Sequence, residues 1–192
     1  MGVTISKDVE QIILGIDPGT NVMGYGIIEV RLNQIKLIQY GVLHISKFDK
    51  DDIALRLKKI FDRTSQLIEE YTPDYVALEA PFFGKNIQSM LKLGRAQGVA
   101  LAAALSRNIP VVEYAPKKVK QSVTGNGNAS KEQVAAMVMR IFNIKEQPEL
   151  LDATDALAVA LCHHYQGKGV FSKSKTTSWQ NFVSENPSRV KK

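Results

Sequence analysis

Residues Ile12 to Val30 read IILGIDPGTNVMGYGIIEV, and the reading of the whole chain turns on this stretch. Two short apolar, β-rich runs flank Asp17-Pro18-Gly19-Thr20, which predicts a hairpin with Pro18 and Gly19 at the central positions of a type II turn. Ile12 to Ile16 is unbroken and apolar, so the first strand is buried and Asp17 emerges at its end. A carboxylate there needs a cation, a set of hydrogen bonds or a metal. On the returning strand, Gly24 and Gly26 leave bare backbone that something bulky and anionic could approach. Asp, Pro, Gly and Thr are also ordinary turn residues, and this stretch alone supports either reading.

The composition bounds the alternatives. The chain has 192 residues, 44% hydrophobic and 23% charged, enough for one soluble domain with a real core. No apolar run approaches the roughly 20 residues that span a bilayer, no basic-then-apolar leader opens the chain, and no membrane association is expected. The single cysteine, Cys162, excludes an intrachain disulfide and fits a reducing cytoplasm. The net charge is +6, but residues 167–192 carry six basic residues against one acidic, which leaves +1 for residues 1–166. A polyanion would therefore have to bind to a local patch or through metal ions.

Along the chain, residues 1–11 read as an N-terminal extension. Gln34 to Ile45 alternates as a third strand, with Ile35, Leu37, Leu43 and Ile45 on one face. Asp49 to Asp52 offers helix caps, and apolar residues recur at helical spacing from Ile53 to Tyr71 before Thr72-Pro73 ends the helix. A fourth strand, Asp74 to Pro81, ends like the first, with an acid (Glu79) after an apolar run. The next loop, Phe82-Phe83-Gly84-Lys85-Asn86, either caps the core or offers aromatics to bases and Lys85 to phosphate. Asn86 to Asn108 is a long helix on which Gly94 and Gly98 share one face, for internal packing or a dimer contact. Ile109 to Tyr114 is a fifth strand, followed by a basic helical segment to Ser122. Thr124 to Ala129 is a plain turn or a phosphate-binding loop flanked by Lys120 and Lys131. Lys131 to Phe142 is a helix, and Pro148 opens the last one, running to about Tyr165 with His163 and His164 at the surface. Asp152 and Asp155 lie three apart, hence on one face. Acids favour a helix's first turn anyway, but ALAVAL after them is apolar all round, so this pair enters a buried surface. Residues 167–192 read as a disordered basic tail.

Three strands, then helix–strand alternation, then two further helices give an α/β chain: a ribonuclease H-like fold, a five-stranded mixed sheet flanked by helices, spanning residues 12–166. In that architecture the first and fourth strands are neighbours and a late helix crosses them, so Asp17, Glu79, Asp152 and Asp155 converge. Four carboxylates in one place cannot all ionise without divalent cations. All-oxygen ligands favour Mg²⁺ or Mn²⁺ over zinc. Two such ions about 3.5–4 Å apart clamp a phosphodiester for hydrolysis.

The set ILGIDPGTNVMGYGII, VALEAPFFGKN, LKLGRAQGVALAAA, VKQSVTGNGNASKEQV and DATDALAVALCHH resembles the RuvC family of bacterial Holliday-junction resolvases, from about Ile13 to Tyr165. The resemblance implies a homodimeric endonuclease dependent on Mg²⁺, two ions per subunit with Mn²⁺ able to substitute. It implies paired symmetric nicks in a four-way DNA junction, in recombination and repair, beside a branch-migration motor complex of the RuvA/RuvB type. It implies a cytoplasmic bacterial protein acting at the nucleoid. It assigns metal binding and catalysis to Asp17, Glu79, Asp152 and Asp155, and we expect Asp17 to bridge the ions. It places Phe82 on the DNA near the junction and Lys120 and Lys131 on phosphates. Phe83 is a second aromatic where the family pattern has one, so which phenylalanine stacks stays open. The long helix supplies the dimer face.

Three other readings touch the same residues. Asp-x-Gly-Thr after a strand also opens actin-like ATPases and sugar kinases, but those need two domains and a second glycine-rich motif. YqgF-like RNA-processing nucleases share the fold, although the phenylalanine loop and the paired helix acids fit them less well. A silent junction-binding protein gains nothing from four carboxylates facing a polyanion.

Overall fold

The computed structural model describes residues 11–32, 34–45, 52–80, 86–146 and 151–171, with side chains to residue 167. The N-terminal extension to residue 10, Phe82, Phe83, Lys85, Pro148 and residues 172–192 of the expected tail lie outside the described residues.

Three strands come first: β1 (Gln11–Asp17), β2 (Val22–Arg31) and β3 (Gln34–His44). They form an antiparallel meander in which Asp17 pairs with Gly24 and Val22 with His44. Helix α1 (Ile53–Tyr71) follows, capped by Asp52, whose Oδ1 accepts from the Leu55 amide at 3.0 Å. It stops at Thr72, in the left-handed region (φ 43°), just before Pro73. Then come β4 (Tyr75–Glu79), α2 (Ile87–Leu105), β5 (Val111–Tyr114), α3 (Pro116–Thr124), α4 (Lys131–Phe142) and α5 (Asp152–Phe171).

The strand order β3-β2-β1-β4-β5 puts the first and fourth strands side by side, in parallel, with Ile16 opposite Leu78. One residue further on, Asp17 and Glu79 end neighbouring strands on the same face.

Each face of the sheet has its own core. Leu14, Ile16, Met23, Ile27, Val76 and Leu78 pack under α1 and α2. Ile13, Ile28, Val30 and Ala77 pack under α5, flanked by Val119 and Val123 of α3 and Val134 and Val138 of α4.

Four local expectations are corrected. Gly19 does not take the left-handed φ that a type II turn requires. It is glycine because a Cβ there would lie 2.1 Å from the carbonyl oxygen of Val22. Ile35 and Leu37 do not share a face with Leu43 and Ile45. A register shift opposite Ile27/Ile28 leaves Ile38 without a partner, and this bulge turns the strand over. Ile35 and Leu37 therefore pack on the α5 side, and Leu43 and Ile45 on the α1 side. His163 and His164 are buried, because α5 continues to Phe171 and both lie in mid-helix. His163 stacks on Tyr75 with ring centroids 4.7 Å apart, and its Nδ1 is 2.9 Å from the Tyr114 hydroxyl. Finally, Gly94 and Gly98 are not an internal packing face. Nothing lies within 4 Å of a Cβ built at either, whereas Ala96, Ala100 and Ala104 turn inward.

Candidate active site

The glycines of β1 and β2 explain how the site is made. A Cβ on Gly15 would lie 2.1 Å from the Ala156 carbonyl oxygen, one on Gly24 1.9 Å from that of Asp152, and one on Gly26 2.6 Å from Leu157 Cδ2. The bare backbone expected to admit a ligand is instead covered by α5, which lies directly on the strands. Because Gly24 is the partner of Asp17, the first turn of α5 is set down next to the strand-end acid.

A cavity of about 190 Å³ opens there, and Asp17, Glu79, Asp155, Lys120 and Lys131 all line it. Asp152 does not line it, but its charge acts on Asp17 and Asp155. The expected acids are thus brought together from β1, β4 and α5, and both lysines from α3 and α4. Pro18, Ala80, Leu93, Pro116, Val119 and Val134 complete the wall. None of these six carries a site signal in sequence, although Val119 is chain-adjacent to Lys120 and Val134 lies one turn from Lys131.

The electrostatics are those of carboxylates short of positive charge. Burial, then the charges of Glu79 and Asp155, hold Asp17 well above the usual carboxylate range. Burial and then Asp155 raise Glu79 to about 7, against the opposing pull of Lys131 and Lys120. Burial raises Asp155 as well, even though Lys131 Nζ donates to its Oδ2 at 2.6 Å. Burial works against the charge on Lys131, but the hydrogen bond and charge of Asp155 outweigh it, so the ammonium is held above its usual value.

Lys120 is placed differently. Its Nζ donates to the Ala129 carbonyl at 2.7 Å, tying α3 to the segment that starts α4. Most amides of the intervening loop are engaged locally. Asn126 N donates to Thr124 Oγ1, Asn128 N to Asn126 Oδ1, Ala129 N to Asn126 O and Ser130 N to Gln133 Oε1. It is a structured turn and helix cap, so the lysines beside it, not its backbone, are what could meet a phosphate.

The donor set fits a hard divalent cation. Its atoms are all carboxylate oxygens, and their raised affinity for protons marks a shortage of counter-charge. Among the described residues, no three His, Cys, Asp or Glu side chains already form a ligand cage. The cation in place is the Lys131 ammonium.

Comparison with known proteins agrees with this geometry. A family model described as crossover junction endodeoxyribonuclease RuvC matches residues 13–163. The chain is 64% identical over 185 residues to the RuvC of Cytophaga hutchinsonii, covering 96% of this chain and 90% of that one. It is 54% identical over 187 residues to that of Porphyromonas gingivalis, covering 95% and 98%. Among solved structures, Thermus thermophilus RuvC in complex with a Holliday junction substrate superposes with a TM-score of 0.76 at 32% identity, covering 83% of this chain and 96% of that one. A fold that sets strand-end acids of β1 and β4 under the first turn of α5 is thus joined to identity along nearly the whole chain, and the protein belongs to the RuvC family of crossover junction endodeoxyribonucleases.

Proposed function

We propose that this chain resolves four-way DNA junctions by hydrolysing one phosphodiester at each of two symmetric sites, with Asp17, Glu79, Asp152 and Asp155 holding divalent metal, Mg²⁺ in the cell. The convergence of three of these acids and two lysines on one cavity carries the reading. Divalent ions bound there would activate a water molecule and stabilise the leaving oxygen. The acids hold that charge at the ends of rigid elements, where strand pairing and α5 packing fix their spacing. Lys131 stands among them and exchanges Asp155 for a phosphate oxygen of the bound strand. Lys120 fixes the start of α4, which carries Lys131. Phe82, Phe83 and Lys85, seven residues or fewer beyond Glu79 in sequence, are the proposed contacts to bases and backbone near the crossover.

The working form is a homodimer paired through α2, whose two copies of the site cut the two strands. Ile87, Leu91 and Leu105 are more than half exposed on that helix, and the space over Gly94 and Gly98 is open. Small residues at that spacing let a second helix approach closely. Leu91→Glu is expected to convert a dimer to a monomer in sedimentation. A branch-migration motor of the RuvA/RuvB type is the proposed partner in the cell.

The test is cleavage of a synthetic four-way junction beside linear duplex and an RNA hairpin, with and without Mg²⁺. Paired symmetric nicks in the junction alone, and only with metal, are expected. Binding without cutting would indicate a silent junction-binding protein, and cutting of the RNA would move the chain to the RNA-processing branch of the fold.

A further inference from the structure

Six apolar or small residues share the cavity with the acids and lysines, and their placement follows a rule. On α3, Pro116 lies three residues from Val119 and four from Lys120, Val119 adjoins Lys120 in the chain, and all three line the cavity. On α4, Val134 lies three residues from Lys131. Each helix therefore presents a cation for phosphate and, within a turn of it, an apolar surface with no hydrogen-bonding group. Leu93 of α2 lines the cavity as well. The cavity, about 190 Å³, is smaller than the roughly 300–1,000 Å³ that holds a drug-sized ligand. That suits one sugar–phosphate unit, not an extruded base with its nucleotide.

We infer that Leu93, Pro116, Val119 and Val134 seat the sugar next to the scissile phosphate and make the site selective for deoxyribose over ribose. The inference rests on the nuclease reading above. A phosphate held by the lysines and acids carries its sugar at one bond's remove, against whatever wall adjoins the cations. The C2′ methylene of deoxyribose meets this wall at no cost, whereas a 2′-hydroxyl is stripped of water there and finds no partner. An apolar pocket rejects an added hydroxyl by a factor on the order of 10².

The experiment uses the full-length protein and synthetic four-way junctions with Mg²⁺. One nucleotide flanking the scissile phosphate is changed, on either side in turn, from deoxyribo to ribo or to 2′-fluoro. If the all-deoxy junction is not cut, the nuclease reading fails. If it is cut, the ribo substitution on one side is expected to slow cleavage by on the order of 10²-fold, while 2′-fluoro, which fills space without needing a hydrogen-bond partner, stays within a few-fold of deoxy. Leu93 is only half-buried, so Leu93→Asn keeps the fold while offering the hydroxyl an amide. It is expected to shrink the deoxy-to-ribo ratio at that side at least severalfold, with its melting temperature checked against the parent. Equal cleavage of ribo and deoxy junctions would overturn the inference. So would 2′-fluoro slowing as much as ribo, which points to sugar pucker, or an unchanged ratio in Leu93→Asn.

Discussion

The two faces of the sheet are packed by opposite means. Toward α1 and α2 the strands present Leu14, Ile16, Met23, Ile27, Val76 and Leu78, and the helices rest on those side chains. Toward α5 the same strands set Gly15, Gly24 and Gly26 among Ile13, Ile28 and Ala77, and at Gly15 and Gly24 helix backbone rests on strand backbone. The first face is an ordinary core, tolerant of small displacements because side chains can repack. The second has no such slack. Strand glycines weaken a strand, and here they are kept where they let Asp152 and Asp155 reach the ends of β1 and β4. Both faces hold the molecule together, and the α5 face also sets the spacing of charges.

That contrast is most easily broken at the acids themselves. Asp17→Asn keeps the size of the side chain and removes its charge. Cleavage of a four-way junction is expected to fall by on the order of 10³-fold or more, since several kcal/mol of transition-state stabilisation depend on the metal. Junction binding in gel shift is expected to persist. Lost binding would mean that the acid shapes the fold and not the chemistry.

Next in size is a matched pair across the sheet. Leu14→Ala, on the ordinary face, is expected to cost about 2–5 kcal/mol of stability yet leave cleavage near normal at temperatures where the protein is folded. Gly24→Ala adds one methyl where the Asp152 carbonyl already sits. It is expected to cost about 1–3 kcal/mol and to slow cleavage by on the order of 10²-fold, the penalty of moving catalytic groups by an ångström. Melting curves and single-turnover rates on the two variants would decide it. Equal losses of rate would remove the distinction between the faces.

The charge balance gives a third test. Glu79 sits near 7, well above its unfolded value of 4.5. A carboxyl raised in the folded state lends stability that is complete below the unfolded pKa and is lost as pH climbs through the folded one. Without divalent cations the melting temperature is therefore expected to drop between about pH 4.5 and 8, with Glu79 accounting for at most about 3 kcal/mol. Asp17 and Asp155 push the same way. Glu79→Gln is expected to flatten the drop, and Mg²⁺ at pH 8 to restore the parent. A flat profile in the parent would mean the acids already have enough counter-charge in Lys131 and Lys120.

Much of this was legible in the residues, and the reasons it was, or was not, are physical. Helices and strands are legible through periodicity, and Asp17 and Glu79 through their position after apolar runs, which is costly unless the charge has work to do. Convergence of those acids followed from strand order. The glycines are ambiguous because freedom to admit a ligand and freedom to admit a helix leave the same trace in sequence. Only the position of α5 separates the two. The β3 faces are not legible because a one-residue bulge at Ile38 inverts the alternation beyond it without changing composition. The burial of His163 is not legible locally, because its partners, Tyr75 and Tyr114, come from β4 and β5, 88 and 49 residues earlier in the chain. The apolar wall beside the lysines escaped notice because core valines and wall valines look alike until a cavity opens on one side of them.

The smallest effect sharpens the contrast most finely, because it removes one hydrogen-bonded cap on each side of the sheet. Asp52 caps α1 on the ordinary face, and Ser130 caps α4 on the active one, with Ser130 Oγ accepting from Gln133 N while Gln133 Oε1 accepts from Ser130 N. Either cap replaced by Ala is expected to cost about 1 kcal/mol in thermal or urea unfolding. The first turn of α4, however, begins with Lys131, and the Ala129 carbonyl held by Lys120 lies directly before the cap. Fraying there frees the ammonium that neutralises Asp155, whereas fraying at α1 frees nothing that faces the cavity. Ser130→Ala is therefore expected to slow junction cleavage severalfold and Asp52→Ala to leave it unchanged, at equal cost in stability. Equal slowing by both would mean that the rate follows the stability of the whole domain, and that the two faces do not divide the work between them.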